Sequence, residues 1–300
     1  MAACKNVIVV ALGISINCIN ATMVHTFTKQ QILNLNPRYI LFIHLVINDM
    51  IQLTVSISLF LSSYIFYTIS VPVCSILIML AVFTTQNTPL NLAFMAVECY
   101  IAVCIPLRHA HLCTVKRTHV AIGLIWTMSV LSILPDLFIL ITTEPLEFFH
   151  ARVFCARDMV FRSTYSITKR NASHTAFLVL VWLTLFYTYV NILFTAKAAK
   201  ADAKKARNTI LLHAFQLLLC MLNYVQPMLI QALMHLAPAA KVSTNFTSFI
   251  ANQIIPRFVS PIIYGLRDNT FRTYFKKYFL CTVTIRTHPK TSVKMKSDNV

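Results

Sequence analysis

The sequence predicts an all-α membrane protein: a seven-transmembrane helix bundle followed by a short amphipathic helix on the inner membrane surface. Three observations carry this prediction. The 300 residues are 57% hydrophobic and only 12% charged, with a mean hydropathy of +0.69, too little polar surface to coat a water-soluble fold. Apolar windows of membrane length recur near residues 6–28, 38–61, 73–104, 119–141, 175–196, 207–235 and 246–266, which makes seven. These windows are far longer than the roughly 10-residue alternating segments of an outer-membrane barrel.

The first window begins near Asn6 and is too long for a signal-peptide core, so it is expected to be a span that acts as its own signal. Short connectors follow, except for a long one at about 142–174. Orientation comes from counting Lys and Arg. The connectors after spans one, three and five plus the tail hold 18, and the opposite side holds 7, which puts the N-terminus outside and the tail in the cytoplasm. Residues 1–266 form the bundle, and 267–300 an amphipathic helix and basic tail in which Phe271, Phe275 and Phe279 recur every fourth residue among Arg272, Lys276 and Lys277. That pattern suits a helix lying on anionic lipid.

Composition excludes other classes. The net charge of +17 is dealt out in short clusters between apolar blocks, as membrane topology requires, and no nucleic-acid surface is expected. Nine cysteines show no CxxC or His-spaced pattern, and His44, His213 and His235 lack metal-ligand spacing, so neither metal nor cofactor is expected. Only Asp49 and Arg257 lie deep in the spans, too few for the path of a channel or transporter. No nucleophile and base share a depth, so no enzyme is expected.

The third span carries the most specific pattern. Cys74 opens it, and Cys99, 25 positions later, sits in Met95-Ala96-Val97-Glu98-Cys99-Tyr100-Ile101-Ala102-Val103-Cys104, followed by Pro106-Leu107-Arg108-His109. This phrase resembles the signature of the odorant-receptor family of rhodopsin-like receptors, Met-Ala-x-Asp-Arg-Tyr-x-Ala-Ile-Cys before Pro-Leu, and is similar to its teleost branch. Asn17, the run Leu45 to Asp49, Trp126, Pro227 and Pro261-Ile262-Ile263-Tyr264 fit the family's marks in spans one, two, four, six and seven, so the resemblance covers the whole chain. The departures are Cys99 in place of the arginine beside the acid, Ser260 before Pro261, Val225 where relatives carry an aromatic, and a fifth span without proline.

The resemblance implies a receptor that binds a small organic odorant inside the bundle and activates a heterotrimeric G protein, in the plasma membrane and the cilia of olfactory neurons. It implies a Cys74–Cys155 disulfide, since both cysteines fall on the oxidising outer side. Asn171-Ala172-Ser173 in the long loop is a glycosylation sequon. Ala81 stands where amine-sensing relatives place an aspartate, and the expected pocket takes Val82, Thr85, Gln86, Asn223, Met228, Gln231, Phe249 and Asn252. Such a lining suits a mostly apolar molecule fixed by one or two hydrogen bonds. Asp136, near the outer end of span four, is either a pocket residue or simply solvated.

Coupling is assigned to Glu98, Cys99, Tyr100, Arg108, Tyr189 and Tyr264. Arg257, four positions before Pro261, stands where many relatives help hold sodium, and is expected to pair with Asp49, with Asn17 and Thr88 satisfying the remaining donors and acceptors. The alternatives are a rhodopsin-like receptor for a non-odorant ligand such as a lipid, and, from another class, a transporter or channel.

Overall fold

A backbone crossing hydrocarbon has no water to bond, so it must close its own hydrogen-bond ladder as a helix. The computed structural model describes residues 2–198, 247, 249–259 and 271–277. Its elements run α1 (Ala2–Lys29), α2 (Gln31–Asn34), α3 (Pro37–Ile65), β1 (Ile69–Ser70), α4 (Val71–Cys104), α5 (Pro106–Leu112), α6 (Val115–Thr143), α7 (Leu146–His150), β2 (Arg152–Val153), α8 (Arg157–Val160) and α9 (Thr164–Ala198). Of these, α1, α3, α4, α6 and α9 are long and apolar enough to cross a membrane, and they correspond to the first five predicted spans. The span read at 207–235 lies outside the described residues. The one read at 246–266 is represented by a π-helical turn, Ile250–Ile254, and the helical residues after it.

Local sequence explains where helices begin. Asn36 caps α3 by accepting from the Arg38 amide at 3.1 Å, with Pro37 in the first turn, where no amide donor is needed. Thr114 caps α6 in the same way, accepting from the Arg117 amide at 3.3 Å. Inside the spans, hydroxyls fold back onto the preceding turn, as Ser15 does on the Ala11 carbonyl (2.8 Å) and Thr54 on that of Met50 (2.8 Å). These bonds keep polar atoms from facing lipid unsatisfied. Against α1, α3 approaches closely enough that a Cβ at Gly13 would run into the Ile57 side chain.

The core sits where α4 meets its neighbours. Leu41, Phe42, Leu45 and Val46 of α3 and Leu92, Met95 and Ala96 of α4 are buried together with Val181 and Leu185 of α9. Phe271, also buried, stacks beside Tyr39 and edge-on to Phe42 with centroids 6.2 and 5.5 Å apart, while Arg272, Lys276 and Lys277 on the same helical stretch are exposed. That division between faces is the one the Phe spacing predicts.

On the outer side the connector between α6 and α9 forms a cap. Strand β2 pairs antiparallel with β1, Ile69 opposite Val153, and Val160 and Phe161 pack against Val71, Cys74, Ile78 and Leu140. Cys74 and Cys155 are joined as a disulfide, with Cα atoms 5.6 Å apart. One expectation needs correcting. The sequon at Asn171 lies in α9, not in a loop, because α9 begins at Thr164. No glycine or proline separates Thr164 from Thr175, so the helix runs on past the apolar window Thr175–Thr195 that a hydropathy scan detects.

The disulfide spans 81 positions, and in the chain-entropy account a closure of that length stabilises by about 4–5 kcal/mol. Cys155→Ser is therefore expected to lower surface expression, measured by labelling of an N-terminal tag on intact cells, more than it alters ligand preference among the receptors that arrive.

Candidate ligand and signalling sites

The middle of the bundle is held by side-chain amides and hydroxyls rather than by apolar contact alone. Asn48 donates to the Thr84 carbonyl at 2.9 Å and to Thr88 Oγ1 at 3.0 Å, and its own oxygen accepts from Asn87 at 3.4 Å. Ser129 of α6 donates to Asn87 Oδ1 at 2.6 Å, so α3, α4 and α6 share one network. A second junction lies nearer the inner side. The Trp126 indole, which can only donate, bonds His44 Nε2 at 2.6 Å, and the Asn91 side-chain nitrogen lies 3.0 Å from Nδ1 on the other edge of the ring. The Trp126 mark in the sequence is thus the far end of a bridge from α6 to α3.

The expected ligand residues divide along these contacts. Thr85 accepts from Gln52 at 2.8 Å and donates to the Ala81 carbonyl at 2.7 Å, and Gln86 accepts from Ser132. Both polar groups therefore take part in helix contacts. Val82 packs beside the cluster under the outer cap, and Phe249 lies against Phe60 with centroids 4.6 Å apart, toward α1 and α3. Asn252 falls in the π-helical turn, while Asn223, Met228 and Gln231 lie outside the described residues.

Asp136 is neither solvated nor alone. Its carboxylate is 8% exposed and receives Lys169 Nζ at 2.9 Å and Arg157 at 3.5 Å, while Lys169 also donates to the Ser132 carbonyl at 3.0 Å. Residue spacing gave no sign of this cluster, because its members come from α6, α8 and α9. Farther out, Arg162 forks onto Glu144 at 2.9 and 2.5 Å and lies over the Phe148 ring at 4.3 Å. The Arg162 hydrogen bond holds the Glu144 carboxyl below the usual carboxylate range. Arg162 is exposed, so the pair orients the connector more than it stabilises it.

Asp49 and Arg257 are each 2% exposed, and the Arg257 charge lies within electrostatic reach of the Asp49 carboxylate. Ion pairs within 4.0 Å include Arg38–Glu98, His109–Glu98, Arg157–Asp136, Arg162–Glu144 and Lys169–Asp136. Asn17 donates to Thr54 at 3.1 Å, and Thr88 accepts from Asn48 at 3.0 Å.

At the inner end, Cys99 is buried against Ile192, flanked by Tyr100, Val103, Cys104 and Tyr189. Tyr100 lies 5.9 Å from Tyr187 between ring centroids, and Cys104 Sγ is 3.3 Å from Thr195 Oγ1, so the α4–α9 seam is closed over this stretch. Arg108 is exposed, and Tyr264 lies outside the described residues. The Glu98 carboxylate is 7% exposed and meets Arg38 Nε at 3.3 Å and His109 Nε2 at 3.0 Å. Burial first, and then the Glu98 charge, push the Cys113 thiol up, which keeps it protonated.

A family model described as 7 transmembrane receptor (rhodopsin family) matches residues 19–264. The chain is also 30% identical over 288 residues to Odorant receptor 131-2 of Danio rerio, an alignment that covers 89% of this chain and 83% of that protein.

The pairing of Asp49 with Arg257 remains a proposal with a direct test. One Asp49 oxygen accepts no hydrogen bond among the described residues, and a buried carboxylate left in that condition favours any cation that can approach. Asp49→Ala or Arg257→Ala alone is expected to reduce surface expression or signalling severely, and Asp49→Arg combined with Arg257→Asp to recover part of it. No recovery in the double variant, or ligand affinity that depends on sodium in the unmodified protein, counts against the pair.

Proposed function

We propose that this chain, which belongs to the rhodopsin family of seven-transmembrane receptors, is an odorant receptor for a small, mostly apolar organic molecule. As a member of that family it is a multi-pass membrane protein that binds a ligand and couples to a heterotrimeric G protein, and it is not an enzyme. The observation that carries the finer reading is the run Met95 to Cys104 with Pro106-Leu107, in a chain 30% identical to a zebrafish odorant receptor over most of both sequences. The plasma membrane of olfactory sensory cilia is the proposed location.

The arrangement supports a path for the signal. A ligand held beside the outer half of α4 presses on a helix whose middle is hydrogen-bonded to α3 and α6 and whose inner end carries Glu98, Cys99 and Tyr100. A rigid helix tied at several levels moves as a unit, so a displacement at one end is felt at the other. The absence of an acid at Ala81 favours a neutral ligand over an amine.

A panel of small water-soluble odorants, applied to cells expressing the chain and read out by cyclic AMP, tests the reading. At least one is expected to give a saturable response that is absent from untransfected cells. Responses confined to lipids would instead favour the non-odorant receptor. Cys99→Arg bears on coupling: arginine cannot fit the seam against Ile192 unless α4 and α9 part, so the substitution is expected to preserve or raise the response. Complete loss of response at normal surface levels would mean that the coupling surface is built around cysteine.

A further inference from the structure

Glu98 is a carboxylate at the inner membrane edge whose neighbour in sequence, Cys99, cannot neutralise it. A charge this buried must find a partner or bear a desolvation cost of several kcal/mol. The structure supplies two, from different connectors. Arg38 comes from the first turn of α3, set in place by the Asn36 cap, and His109 from α5, just after Pro106 has turned the chain away from α4. They take opposite oxygens, Oε2 and Oε1, at 3.3 and 3.0 Å.

From this geometry we infer that Arg38 is a positioning residue for signalling. With His109 it clamps Glu98 and holds the inner end of α4 against α3 and α5, keeping the α4–α9 seam shut until a ligand acts. An arginine adjacent to the acid on the same helix could let go of it and swing outward without moving anything else. Here the partners are anchored in other elements, so Glu98 is released only when α4 shifts relative to the start of α3. Releasing the clamp and opening the seam are then a single motion, and the thiol that this motion uncovers is Cys99, now 3% exposed.

The inference rests on the receptor reading above, and two readouts separate their failures. One is basal dissociation of G proteins, measured for each of the main Gα classes in cells at matched surface level. The other needs no G protein: the rate at which a maleimide labels Cys99 in purified full-length receptor, assigned by peptide mass spectrometry. Arg38→Ala and Glu98→Gln are each expected to raise both by about fivefold or more, His109→Gln by less, and Arg38→Glu with Glu98→Arg to return both toward the unmodified values. Lys116→Ala, which removes an exposed charge from the same surface, is expected to change neither. Should Arg38→Ala fail to reach the surface, Arg38→Lys keeps the charge, loses the directed Nε donor and is expected to give a smaller rise. Unchanged labelling and signalling in the Arg38 and Glu98 variants, or no recovery in the exchange, overturns the clamp while the receptor reading stands. Faster labelling with no G-protein response from any form, the unmodified receptor included, upholds the clamp and sinks the receptor reading.

Discussion

The described part of the bundle depends on one constraint: α4 carries amides and hydroxyls into a region with no water, and they must be bonded by its neighbours. Asn87, Thr88 and Asn91 are all buried, and their partners are Asn48, Ser129, the Leu41 carbonyl and His44. Each interhelical hydrogen bond in a membrane contributes only about 0.6 kcal/mol on average. The larger quantity is the penalty for leaving such a group unpaired, about 1–3 kcal/mol even by protein mutational measures. The network therefore acts mainly by exclusion, since other registers of α3, α4 and α6 would strand several polar atoms at once.

This explains which parts of the fold were legible in sequence. Hydropathy alone located the five spans among the described residues, because the requirement for about 20 apolar residues is local. The buried Phe271 and its exposed basic neighbours followed from fourfold spacing for the same reason. Long-range pairing did not follow. Asp49 drew attention as the charged residue of span two, but the hub of the network is Asn48 beside it, and neither spacing nor charge distinguishes an asparagine that bonds α4 from one that faces lipid. Asp136 looked like a span-end residue because Lys169 and Arg157 lie 33 and 21 positions away, beyond any periodicity.

The candidate sites were legible to a different degree at the two ends. On the inner side the signature marked Cys99 as a departure beside Glu98, but the partner that meets Glu98, Arg38, lies 60 positions earlier in the chain. On the outer side Thr85 and Gln86 were expected to line a ligand pocket. Their side chains turn toward α3 and α6, since a polar group between two helices is drawn to whichever partner is already fixed. The disulfide was the exception, readable because the family resemblance implied it.

The disulfide also has a consequence for biosynthesis. A ribosome delivers this chain from its N-terminus, so Cys74 reaches the oxidising compartment well before Cys155, 81 positions later. By the time the connector carrying Cys155 has been exported, α1, α3, α4 and α6 have emerged ahead of it, and everything beyond α9 has still to emerge. Oxidation at that moment gives the first half of the chain a covalent seal of its own. A folding defect in α3, α4 or α6 is then exposed to the cell's inspection machinery as an unsealed intermediate, whereas one introduced after α9 arises in a chain whose first half has already been closed.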